Sequence, residues 1–89
     1  MVRVVFPASG FERKLVKFLR CHQGLDPDVD KAVKLLEKDL FAPQLNTHKL
    51  HGKLAKSYGC NINYQYRIVF SFDEKYVYLE NIGSHDDVY

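Results

Sequence analysis

The spacing of apolar residues changes along this chain of 89 residues, and that change restricts the fold more than any other feature. After a short opening strand, apolar side chains up to Leu40 recur at three- and four-residue steps, as on one face of a helix. From Cys60 onward they alternate or run together, as in strands. A chain of this length suffices for one domain and buries roughly 60–65% of its surface. The pattern predicts one domain over 1–89, built as one sheet under one layer of helices.

Val2 to Phe6, rich in β-branched residues and halted by Pro7, reads as the first strand. Ser9 is the expected N-cap of a first helix, with Glu12 completing a capping box. Phe11, Leu15, Phe18 and Leu19 supply its apolar stripe until the Gln23-Gly24 pair. A second helix is expected from the Asp26-Pro27-Asp28 start, Asp26 capping, through Val29, Ala32, Val33, Leu36 and Leu40, and Pro43 stops it. Leu45, Leu50 and Leu54 are expected to pin a loop to the core. Three strands then form an antiparallel meander: Cys60 to Gln65 at period two, Arg67 to Phe72, and Tyr76 to Ile82 after the Asp73-Glu74 turn. The expected class is α+β in the order β-α-α-β-β-β, with the first strand joining the meander's sheet and a two-helix hairpin covering one face.

Charge is distributed unevenly. Met1 to Arg67 holds twelve Lys and Arg against six acids, whereas Ile68 to Tyr89 holds one Lys against five. From His48 to Arg67 there are four cations (Lys49, Lys53, Lys56, Arg67), two histidines and no acid. Such a stretch suits a polyanion or an acidic protein, and equally a solvated lysine surface. Cys21 and Cys60 have no metal or redox spacing, so two free, partly buried thiols are expected. No segment resembles a signal peptide or reaches membrane-spanning length, and a cytoplasmic location is expected.

Histidines 22, 48, 51 and 85 lack the spacing of a metal site. A zinc site from His48, His51 and His85 with a carboxylate is the weaker use of them; no metal and no cofactor is expected. The stronger use is proton transfer, since imidazole titrates near neutrality. His48 precedes the meander, and His85 follows it in the polar turn Gly83-Ser84-His85-Asp86-Asp87. Arg67 offers a guanidinium fork to a phosphate or, alternatively, pairs with Glu80 across the sheet. Tyr64, Tyr66 and Tyr89 are candidates for base stacking, Tyr64 and Tyr66 sharing one face of their strand and equally suited to a core or interface. His22 reads as a surface side chain.

Three segments, His48-Lys49-Leu50-His51-Gly52-Lys53-Leu54, Tyr66-Arg67-Ile68-Val69-Phe70 and Ile82-Gly83-Ser84-His85-Asp86-Asp87-Val88-Tyr89, resemble the RelE/ParE superfamily of bacterial toxins. Within it they look like the ribosome-dependent messenger-RNA endonucleases of the YafQ and RelE type. The resemblance spans essentially the whole chain. It implies a cytoplasmic toxin with an antitoxin partner, a toxin–antitoxin complex that binds operator DNA, and no membrane. It also implies a metal-independent reaction in which a ribose 2′-OH attacks the adjacent phosphate of mRNA on the ribosome.

Carried over by resemblance, His85 and His48 fall on active-site histidines, Tyr89 on a functional aromatic residue, and Lys49 and Lys53 on RNA-contacting lysines. Arg67 is expected to stabilise the transition state. His51, Lys56, Gln65 and Tyr66 complete the expected RNA contacts. The chain departs from the YafQ pattern at Asn61, Gln65 and Tyr66, where YafQ-type toxins carry His, Asp and Trp. Asn61 and Gln65 hydrogen-bond but do not exchange protons near pH 7. A gyrase inhibitor of ParE type and an inactive, antitoxin-binding relative are therefore the competing expectations.

Overall fold

The computed structural model describes residues 2–52 and 56–88. Its elements are β1 (Val4–Pro7), α1 (Phe11–Cys21), α2 (Asp26–Lys38), a 3-10 turn (Pro43–Leu45), β2 (His48–Lys49), β3 (Tyr58–Asn61), β4 (Tyr66–Phe72), β5 (Tyr76–Ser84) and α3 (His85–Val88). The sheet runs β1-β5-β4-β3-β2, with β1 parallel to β5 and all other neighbours antiparallel. The expected α+β order and the meander are present. Two elements go beyond expectation: β2, which extends the sheet at the far edge, and α3 in place of a polar turn. Among the described residues no helix is long and apolar enough to cross a membrane.

The helices and one sheet face enclose the main core, in which Phe11, Leu36, Leu45, Cys60, Ile68, Phe70 and Val77 are almost completely buried. Alternation along β4 sends Ile68 and Phe70 to this side and Arg67, Val69 and Ser71 to the other. The second side is not bare. Leu50, Val69 and Val88 form a separate buried cluster there, which joins the residue after β2, the middle of β4 and the last described residue of α3. Leu54, also expected to pin the loop, lies outside the described residues.

Several local expectations are corrected. Ser9 does not cap α1: Gly10 holds the N-cap at φ 84°, with no side-chain cap bond, and the Phe11 N–H donates to the Ala8 carbonyl instead. Only glycine adopts that left-handed backbone readily. Asp26 is the first residue of α2, not its cap, which is Leu25 without a side-chain bond. The first meander strand ends at Asn61, because the Asn63 side-chain oxygen accepts the N–H groups of Gln65 and Tyr66 and closes a turn. Tyr64 is therefore 84% exposed on a turn and shares no strand with Tyr66. Cys21 is exposed, whereas Cys60 is buried, and burial pushes its thiol up to about 12.

Candidate functional site

The open face of the sheet is assembled by register. His48 stands opposite Gly59, and Gly59 opposite Val69. Directly opposed residues in antiparallel strands project to the same side, so His48 shares the face of Val69 and Arg67. Its backbone lies two interstrand spacings from Val69, about 10 Å. Lys49, opposite Tyr58, projects to the helix side of the sheet edge. Arg67 stands between Asn61 and Gly83, and His85 follows Gly83 by two residues as the exposed first residue of α3. Val88 folds α3 back over the face through its contact cluster with Leu50 and Val69. One small apolar cluster thus holds the His48 segment and the His85 segment to the same strand.

Gly83 makes that fold-back possible. A Cβ there would lie 2.9 Å from the Asp87 Cβ, closer than two such carbons approach. Ser84 and Asp87 then close the first turn reciprocally: the Ser84 N–H donates to Asp87 Oδ2 at 3.2 Å, and the Asp87 N–H to Ser84 Oγ at 3.3 Å. The Ser84 hydroxyl, then its N–H, hold the Asp87 carboxyl below the usual carboxylate range.

His48 Nδ1 lies 3.1 Å from the Asn46 carbonyl oxygen. A carbonyl only accepts, so Nδ1 carries the hydrogen in this contact. Asn46 reaches this position in a left-handed conformation, φ 47°. Arg67 does not pair with Glu80. Its Nη1 donates to the carbonyls of Asn63 (3.1 Å) and Tyr66 (3.3 Å), which fixes one arm of the fork to the β3–β4 turn. Neither Nε nor Nη2 bonds a described residue. Asn61 Oδ1 is buried without a hydrogen-bond partner among the described residues.

The other expected site residues divide clearly. His51 and Lys56 are exposed on the segment after β2, and Gln65 is exposed on the turn beside Arg67. Tyr66 is turned to the helix side, where its ring meets Phe18 (5.2 Å) and His22 (4.5 Å), so it is not a stacking ring on the open face. Lys53 and Tyr89 lie outside the described residues. Among the described residues no three His, Cys, Asp or Glu side chains are grouped to hold a metal ion.

Sequence reasoning missed two features. His22 is half-buried, not a surface side chain: its ring lies between Phe18 and Tyr66, in a cleft of about 270 Å³ that Lys14, Lys17 and Asp87 also line. The other is Glu80. Val69 pairs with Asn81 but Phe70 pairs with Leu79, so Glu80 is an extra, bulged residue of β5. Its carboxylate accepts the hydroxyls of Ser57 (2.6 Å) and Ser71 (3.1 Å) on the open face. The signal was present in the sequence as the three-residue step from Leu79 to Ile82, which breaks the alternation of Val77 and Leu79.

Comparison with solved structures shows the RelE/ParE-type toxin fold over the whole described chain. YafQ in the Escherichia coli DinJ-YafQ toxin-antitoxin complex superposes with a TM-score of 0.81, at 12% identity, covering 100% of this chain and 99% of that one. A metal-bound toxin from Helicobacter pylori gives 0.76 at 24% identity, with 100% of both chains covered. The YoeB/ParE toxin from Agrobacterium tumefaciens gives 0.74 at 13%, covering 92% of this chain and 98% of that one. No protein-family model and no curated protein sequence matches the chain.

Proposed function

We propose that this chain, which has the fold of the RelE/ParE-type toxins, is the toxin of a toxin–antitoxin pair and a metal-independent endoribonuclease acting on mRNA in the ribosome. The observation that carries this reading is the open face itself. His48 and Arg67 share it by register, the Val88 contact ties the His85 turn to Val69, and the chain from His48 to Arg67 carries no acid. An imidazole base, an imidazole acid and a guanidinium are the groups that phosphodiester cleavage by a neighbouring 2′-OH requires.

In the proposed reaction the 2′-oxygen attacks phosphorus while His48 Nε2 takes its proton. The P–O5′ bond breaks, and His85 in its protonated form gives a proton to the departing 5′-oxygen. The products are a 2′,3′-cyclic phosphate and a 5′-hydroxyl. Arg67, one arm held by the turn carbonyls, directs the rest of its fork at the charge that gathers on the phosphoryl oxygens. His51, Lys53, Lys56 and Gln65 are proposed RNA contacts, and Tyr89 a base-stacking or proton-relaying ring by its resemblance; Lys49, expected among them, projects to the helix side of the sheet edge and is left out of the open-face set. Asn61 supplies hydrogen bonds only.

The partner is an antitoxin, as DinJ is for YafQ. An acidic segment of it would neutralise the cations of the open face, and the complex would bind operator DNA. Messenger RNA as substrate sets the cytoplasm as the place of action. The test is inducible expression followed by mapping of RNA ends, comparing the native chain with His85→Ala. New mRNA ends that arise only during translation, and vanish in H85A, support the reading. Intact mRNA with gyrase-dependent DNA damage would assign the chain to gyrase inhibition instead.

A further inference from the structure

The open face carries the Glu80 carboxylate where an RNA-binding surface gains nothing from negative charge, and Glu80 is the residue that the β4 register skips between Leu79 and Asn81. We infer that Glu80 is a positioning residue of the proposed cleavage site, which holds Ser57 and, through it, Leu50, the two described ends of the basic segment after β2, against the sheet. The inference rests on the open face being the RNA site.

The chain of contacts is short. The bulge frees the Glu80 backbone from the β4 ladder and aims its side chain across the face. The Glu80 carbonyl itself accepts Lys14 Nζ of α1 at 3.4 Å, so the irregular backbone is held from the helix layer. The carboxylate reaches over β4, where it takes the Ser71 hydroxyl, to Ser57 on the far side of that strand. Ser57, 8% exposed, is the residue before β3, and its carbonyl accepts the Leu50 N–H at 3.0 Å. Leu50 and Ser57 are the two ends of the segment that carries His51, Lys53 and Lys56. Glu80 fixes one end by hydrogen bonds, and the Leu50/Val69/Val88 cluster fixes the other by apolar contact.

Hydroxyl bonds to an ionised acceptor are stronger than neutral ones, and the Ser57 bond at 2.6 Å is the short one of the pair. They also occupy both carboxylate oxygens with hydroxyl donors, one bond on each, and hold them to the sheet. The acid thus serves geometry, and a glutamine of the same shape can replace it: its carbonyl still accepts Ser57, and its amide donates to the Ser71 oxygen.

Three full-length variants test the clamp: Glu80→Ala, Glu80→Gln and Ser57→Ala, the last of which removes no core atoms. Amide hydrogen exchange at Leu50 reads the segment's closure without RNA. E80A and S57A should speed that exchange roughly five- to thirty-fold, the effect of losing one or two such bonds, while E80Q stays within about threefold of the native chain. In mRNA cleavage, E80A and S57A should raise KM more than they lower kcat, and E80Q should restore KM. Native exchange in both E80A and S57A would overturn the clamp. E80Q as damaged in cleavage as E80A, with native exchange, would also overturn it by assigning Glu80 a role through its charge. A native chain that cleaves no RNA would count against the function, while the exchange result would still decide the clamp.

Discussion

If one apolar cluster holds the His48 and His85 segments together, Leu50 and Val88 must be energetically coupled. Leu50 is 7% exposed, Val88 6% and Val69 2%. Leu50→Ala should cost about 2–3 kcal/mol, the lower part of the range for buried leucines, because a three-residue cluster under a loop collapses more easily than the main core. Val88→Ala removes two methyl groups and should cost roughly 1.5 kcal/mol. Because the side chains share one cluster, the double variant should be less damaged than the sum, by about 0.5–1 kcal/mol. The assay is urea unfolding followed by far-ultraviolet circular dichroism and by tyrosine fluorescence, which suits a chain with six Tyr and no Trp. L50A alone should lower Tm by roughly 10–20 °C. Strict additivity, or a cost for L50A under about 0.5 kcal/mol, would refute the idea that this cluster bridges the two segments.

Gly83→Ala, which forces a carbon to 2.9 Å from the Asp87 Cβ, should displace α3 and lower RNA cleavage while the main core stays folded; native activity in G83A would contradict the fold-back account. Arg67→Ala should lower cleavage by on the order of a hundredfold, and Arg67→Lys should recover little of it, since lysine lacks the planar fork. The N–H groups of Lys75, then Tyr76, hold the Asp73 carboxyl below the usual carboxylate range. A depressed carboxyl stabilises the fold above its unfolded value and loses that contribution as pH falls through its folded one. Asp73→Ala should thus be less stable than the native chain at pH 7, with the gap closing below about pH 4, as urea midpoints would report. Iodoacetamide should modify Cys21 and spare Cys60 in the folded chain, since burial keeps the Cys60 thiol protonated up to about 12; equal labelling would contradict the packing of β3.

The sequence disclosed the fold well where one residue's chemistry acts locally. Val29, Ala32 and Leu36 announced α2 because helical spacing and burial coincide, but the helix ends at Lys38 with Asp39 as its C-cap, short of Leu40 and of the stop expected at Pro43, which instead opens the 3-10 turn. It failed where a local preference was overridden. Cys60, Ile62 and Tyr64 alternate like a strand, yet the Asn63 side chain takes two backbone N–H groups and makes a turn of the second half. Ser9 has the chemistry of a cap, but Gly10 supplies the backbone angle. Of the site, His48, Arg67 and His85 were legible as residue types; the common face of His48 and Arg67 follows from register, and the His85 turn is tied to the same strand only through Val88. Tyr66 misled because its strand neighbours give no sign of the Phe18 and His22 rings that reach it from α1. Glu80 was hidden for a related reason: a bulge is a property of two strands, and one strand's pattern shows only a broken period.

In the proposed reaction His85 and Arg67 act on one RNA phosphate through its own neighbouring hydroxyl. The most direct measurement is the chemistry of the ends in mRNA cut during translation by the purified chain. A 2′,3′-cyclic phosphate facing a 5′-hydroxyl, produced by the native chain and lost in H85A and R67A, is the expected result. Ends bearing a 5′-phosphate, or the same ends formed undiminished by both variants, would contradict it.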